Sequence, residues 1–93
     1  VRRVIWKYEV AAKWPTWDEC FMPPGSRIVH VAIQGITPHL WAEVIRCADD
    51  SPEMVPRKFT VIGTGQPMPI GSTYVGTVHQ PPFVWHVVEY TGG

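Results

Sequence analysis

Apolar residues recur at every second position along much of the chain, a period that belongs to strands and not to helices. Val4, Trp6, Tyr8 and Val10 alternate with Lys7 and Glu9, which predicts a half-buried strand. Arg27–Gln34 (RIVHVAIQ) sets Val29, Val31 and Ile33 against Ile28, His30 and Ala32, so both of its faces are expected to be covered. Gly35-Ile36-Thr37-Pro38 then punctuates a hairpin, and His39–Ile45 returns with Leu40, Ala42 and Val44 opposite Trp41, Glu43 and Ile45. Lys58–Ile62, Thr73–His79 and Phe83–Tyr90 read as further strands, the last two joined across Gln80-Pro81-Pro82. No segment sustains a helical period.

The intervening segments carry the turn chemistry. Ala11–Pro24 mixes tryptophans, prolines and charges and reads as an irregular excursion with a short strand at Glu19–Met22. Arg46–Arg57 is a polar loop, expected to be the most mobile segment, with a helical turn at Ser51–Met54 where Ser51 caps and Pro52 opens the turn. Val61–Thr77 (VIGTGQPMPIGSTYVGT) holds four glycines and two prolines, and its GTGQPMPIG portion reads either as a long hairpin loop or as a cradle for an anion. The pattern predicts a single all-β domain over residues 1–93, a small antiparallel barrel or sandwich of six to seven short strands.

Composition narrows the partners. A chain of 93 residues with 45% hydrophobic content and five tryptophans has enough apolar area for one modest core. Eight basic against eight acidic residues leave no global field to draw in bulk nucleic acid, and no apolar run approaches the ~20 residues of a membrane span. Cys20 and Cys47 form at most one pair and belong to no CxxC motif, so they read as reduced thiols of a soluble cytoplasmic protein. The number of apolar strand residues on two faces exceeds what one small core needs; a homo-oligomer is expected to bury the surplus, and an exposed binding groove would read the same way.

Catalytic chemistry finds little support in these residues. No His-x-His occurs, so no strand presents two histidine ligands on one face, and His30 and His86 read as occupants of polar corners. Ser26, Ser51 and Ser72 sit in turns, and the Asp49-Asp50 pair lies in a solvated loop. No catalytic residue, metal or cofactor is assigned, and a histidine-dependent hydrolase ranks last. Gly63-Thr64-Gly65 lacks the ending of a phosphate-binding P-loop and the spacing of a dinucleotide fingerprint. What it retains is the capacity for an anion-binding backbone nest around Gly63–Gly65 with the Thr64 hydroxyl beside it, and Gln66 is a further candidate contact. Arg27 and Arg57 are the candidate phosphate partners, and Trp14, Trp17 and Trp41 the candidate stacking platforms for a base.

Seven short motifs run through the chain in order: IWKY at Ile5–Tyr8, MPPG at Met22–Gly25, Ile28-x-His30-Val31, LWAEV at Leu40–Val44, GTGQPMP at Gly63–Pro69, YVGT at Tyr74–Thr77 and VWHVVE at Val84–Glu89. Together they resemble a family of small proteins encoded mainly by tailed phages and prophages, known as a domain of unknown function. The resemblance implies a phage accessory protein in the bacterial cytoplasm, a compact oligomer that acts without catalysis. Two roles remain open on that footing: sequestering a nucleotide second messenger of anti-phage defence, and docking on a host enzyme or defence protein.

Overall fold

The computed structural model of the protein describes residues 2–46 and 53–92. Cys47, the Asp49-Asp50 pair and the start of the turn expected at Ser51–Met54 lie outside the described residues. Among the described residues seven strands follow one another: β1 (Arg2–Glu9), β2 (Asp18–Met22), β3 (Arg27–Gln34), β4 (Thr37–Arg46), β5 (Val55–Gly63), β6 (Ser72–Gln80) and β7 (Phe83–Tyr90). They form two antiparallel sheets, one ordered β1-β4-β3 and the other β2-β5-β7-β6, stacked as a sandwich and not closed into a barrel. Among the described residues no helix is long and apolar enough to cross a membrane.

The period-two pattern places the core. Leu40, Ala42 and Val44 of β4 are fully buried, and they meet Phe59, Val61, Val87, Met22 and Cys20 of the facing sheet. Val4, Trp6 and Tyr8 pack on the same cluster, and Val10 is buried just beyond β1, its N–H donating to the Pro38 carbonyl. The β3–β4 hairpin turns on Gly35-Ile36, with Gly35 at φ +67, as a two-residue connection with glycine first requires. Strand β3 departs from the expected alternation. A register shift between Ile28 and His30 puts both Ile28 and Val31 against the core and leaves Val29 and His30 exposed, because a bulge inserts one extra residue and reverses the parity beyond it.

The glycine-rich connection is not a hairpin. Gly63 ends β5 opposite Trp85, whereas Ser72 begins β6 opposite Tyr90 on the other flank of β7. Strands β5 and β6 therefore run parallel with β7 between them, and the intervening residues travel the length of five β7 residues, ~17 Å at strand rise. This strap is pinned along its course: Gln66 N–H donates to the Gly63 carbonyl, Ser72 N–H and Oγ both donate to the Pro69 carbonyl, and Thr91 N–H donates to the Gly71 carbonyl. Pro69 is buried, and a side chain at Gly71 would meet the Gly92 carbonyl and the Tyr90 ring at 3.0 Å.

Part of the apolar surplus is thereby accounted for within the chain. Thr60, Ile62 and Val88 point away from the inter-sheet core, since their neighbours Val61 and Val87 point into it, yet all three are buried. The strap crosses this outward face from Thr64 to Gly71, and the Trp14–Trp17 segment covers it from the side. That segment is held by Thr60 Oγ1 donating to the Thr16 carbonyl, by Trp14 N–H donating to Val61 and by Val61 N–H donating to Ala12.

Cys20 is buried in the core as a free thiol. Burial pushes its pKa from 9.0 up to about 11, with Asp18 adding to the rise, Arg57 opposing it and Glu89 adding less. The folded chain thus keeps a proton that the unfolded chain releases, and the associated stability is whole below pH 9 and lost as pH rises toward 11. We expect thermal melts to show a loss of about 1–2 kcal/mol across that window. The Cys20→Ala variant should lack that component.

Candidate functional site

Where β5 gives way to the strap, Gly63-Thr64-Gly65-Gln66 forms a tight turn with Gly65 at φ +93, a conformation that glycine adopts at no steric cost. The Gln66 side chain folds back, and its Oε1 accepts the Gly63 N–H at 2.5 Å. The turn directs Thr64 onto β7, where its Oγ1 lies 2.7 Å from His86 Nε2. On the other side of the ring, His86 Nδ1 lies 2.9 Å from Thr77 Oγ1, which in turn is hydrogen-bonded to Tyr74 OH at 2.5 Å.

Two features of the sheet build this chain of four side chains. His86 and Thr77 are direct cross-strand partners on the outward face. Tyr74 lies three residues before Thr77 and would ordinarily point the other way, but the register shift between Tyr74 and Gly76 absorbs one residue and returns it to the same face. His86 is thus bonded through both nitrogens to hydroxyls that can each donate or accept, so the imidazole passes hydrogen-bond polarity from Tyr74 to Thr64.

Beside this chain lies an open groove of about 430 Å³ lined by Gly63, Thr64, Pro82, Phe83, Val84 and Trp85. Phe83 and Trp85 stack with ring centroids 5.4 Å apart and planes inclined by 26°, and Phe83 remains 55% exposed. Trp85 is fixed from behind, its Nε1–H donating to Gln80 Oε1 while Gln80 Nε2 donates to the Ile36 carbonyl. Lys13 Nζ sits 4.5 Å from the centre of the Trp85 ring, so a cation joins the aromatic pair. Among the described residues no carboxylate pairs with Lys13, and no group of three or more His, Cys, Asp or Glu is placed to hold a metal ion.

The residues singled out from the sequence are only partly brought together. Gly63 and Thr64 line the groove, and Gly65 and Gln66 complete the turn beside it. The nest itself is occupied, because the Gln66 carboxamide takes the Gly63 N–H. Arg57 lies near the far end of β5, six residues or ~20 Å from Gly63, and is committed to Glu89 and the Ser26 carbonyl. Arg27 sits on the other sheet, 3.5 Å from Glu43. Trp41 is also on that sheet, half-buried between His30 and His39 at 5.5 and 6.3 Å. Trp14 and Trp17 pack edge-to-face on one another, and Trp17 on Tyr90, over the outward side of the second sheet.

A family model for a domain of unknown function, DUF7352, matches residues 1–92. The chain belongs to this family. No curated protein and no solved structure matches it. In this DUF7352 chain Phe83 and Trp85 line the groove, Lys13 lies over the Trp85 ring and His86 joins Tyr74, Thr77 and Thr64, four residues that sequence reasoning did not gather into a site. One signal for them was present: a two-residue Pro81-Pro82 turn pairs Gln80 with Phe83, and counting back from it sets Thr77 opposite His86.

Proposed function

We propose that the protein binds a small anionic, nucleotide-like ligand in the groove between Gly63-Thr64 and Pro82–Trp85, and does so without turning it over. The observation that carries this reading is the convergence of an exposed aromatic platform, a cation and a hydroxyl. Phe83 stacks on Trp85, Lys13 lies over the Trp85 ring, and Thr64 lines the same groove. A planar base fits against Phe83, and Lys13 and the Thr64 hydroxyl suit an anionic group beside it. Among the described residues Lys13 is the cation over this aromatic pair, and the binding unit we propose is a homo-oligomer in which a second copy completes the groove. The resemblance to phage and prophage proteins gives the ligand a context, namely capture of a nucleotide signal of anti-phage defence in the bacterial cytoplasm.

A thermal-shift series with mono-, di- and cyclic nucleotides tests the reading. Ligand far above its dissociation constant stabilises by about 3–4 kcal/mol, which raises the melting temperature by many degrees in a domain of this size. Phe83→Ala should abolish the shift while leaving the unliganded melt almost unchanged, because the side chain is half exposed. Absence of any shift at millimolar nucleotide would sink the proposal, and intact nucleotide recovered after heat denaturation separates capture from hydrolysis.

One observation favours a second reading, docking on a host enzyme or defence protein. Trp14 and Tyr90 are 40% and 47% exposed at the ends of a continuous aromatic row through Trp17, the kind of surface that anchors a protein partner. Loss of a captured host protein on Trp14→Ala, with the nucleotide response intact, would favour it.

A further inference from the structure

We propose that the Gln66 carboxamide is an internal stand-in for the ligand's anionic oxygen: its Oε1 occupies the seat on the Gly63 N–H, and ligand binding displaces it. This rests on the anionic-ligand reading of the groove. Because a backbone N–H can only donate, the atom it faces at 2.5 Å is the carboxamide oxygen, an acceptor like a phosphate or carboxylate oxygen. Gly63, whose N–H makes the seat, lines the groove. At Gly63 the missing side chain leaves a gap whose walls are the Gln66 Oε1 at 3.4 Å and the Trp85 ring at 3.6 Å from the place a Cβ would take. An oxygen replacing the carboxamide is therefore directly beside the aromatic platform.

A further hydroxyl, that of Thr64, belongs to a residue lining the same groove. Thr64 Oγ1 is held by His86, and the ring is held by Thr77 and Tyr74. When Tyr74 donates to Thr77, Thr77 to His86 Nδ1, and His86 Nε2–H to Thr64, the Thr64 proton is left to point outward to an acceptor. The opposite polarity turns Thr64 toward the ring and presents only lone pairs to the groove. An anion selects the first arrangement, and the row of hydroxyls behind it strengthens the terminal donor. Tyr74, Thr77 and His86 are in this sense positioning residues: they never touch the ligand and set the direction in which Thr64 donates.

The test is calorimetric titration with AMP as the probe, on the full chain, with melts recorded for every variant. Gln66→Ala removes the competing acceptor and should tighten AMP binding about three- to tenfold. Gln66→Glu keeps an acceptor on the Gly63 N–H, and so keeps the turn, but fills the seat with a like charge; it should weaken AMP at least about tenfold. Thr64→Val should weaken binding about tenfold, the loss of one hydrogen bond to a charged group. AMP affinity equal to wild type in both Gln66 variants would overturn the displacement while leaving the binding reading in place. No AMP binding by wild type or any folded variant at millimolar concentration would overturn both.

Discussion

Glu89→Ala lowers the stability of the folded chain by about 3–5 kcal/mol, the largest effect expected of any single polar side chain here. Arg57 and Glu89 meet fork to fork, Nε to Oε2 at 2.6 Å and Nη2 to Oε1 at 2.8 Å, with side-chain exposures of only 23% and 12%. The guanidinium spends its remaining reach on the Ser26 carbonyl at 2.5 Å and the Met22 sulfur at 3.5 Å, tying the β2–β3 turn to the second sheet. Removing the carboxylate leaves that cation lodged among an apolar sulfur, a carbonyl and the Phe59 ring, with no counter-charge. The double replacement Arg57→Met with Glu89→Leu removes both charges and should recover much of the loss, since an apolar pair of similar volume is often no worse than a buried ion pair. Urea denaturation of the two singles and the double completes the cycle; singles within 1 kcal/mol of wild type would contradict the account.

Gly76→Ala is expected to cost about 3 kcal/mol, the upper end of the overpacking range. A Cβ at this position would lie 2.3 Å from Val31 Cγ2, with Val31 Cβ and Cγ1 also at 3.5 Å, so rotating the valine offers little relief. The glycine marks the place where β3 of one sheet presses on β6 of the other. Val31→Ala should restore most of the loss when combined with Gly76→Ala, though it costs stability alone. Simple additivity of the two changes in denaturant melts would show that the strands do not meet there.

How much of this was legible follows from which features are local. Leu40, Ala42 and Val44 declare their face by alternation alone, and so do Val4, Trp6 and Tyr8. The bulge at Val29 is invisible to that reasoning, because RIVHVAIQ is apolar on both parities and gives no break to mark the extra residue. The same holds for the candidate site. Gly63-Thr64-Gly65 stands out as a turn, but Tyr74 joins Thr77 only through the second bulge, and Arg57 finds Glu89 only through the β5–β7 register. Partners 32 residues apart are chosen by sheet order, and sheet order turned on an eight-residue strap that local signals equally allow as a hairpin loop.

The strap also sets the order in which the second sheet can be assembled. Strands β5 and β6 are joined by it yet share no hydrogen bonds, and the strand that belongs between them is the one the chain supplies after both. While a ribosome is still adding residues 83–90, the two flanking strands present unpaired edges, and both the Arg57 counter-charge and the Trp85 wall of the groove are missing. The central strand of this sheet is thus the last one that the chain supplies. A nascent or prematurely terminated chain is therefore most exposed to aggregation and proteolysis just before the groove comes into being.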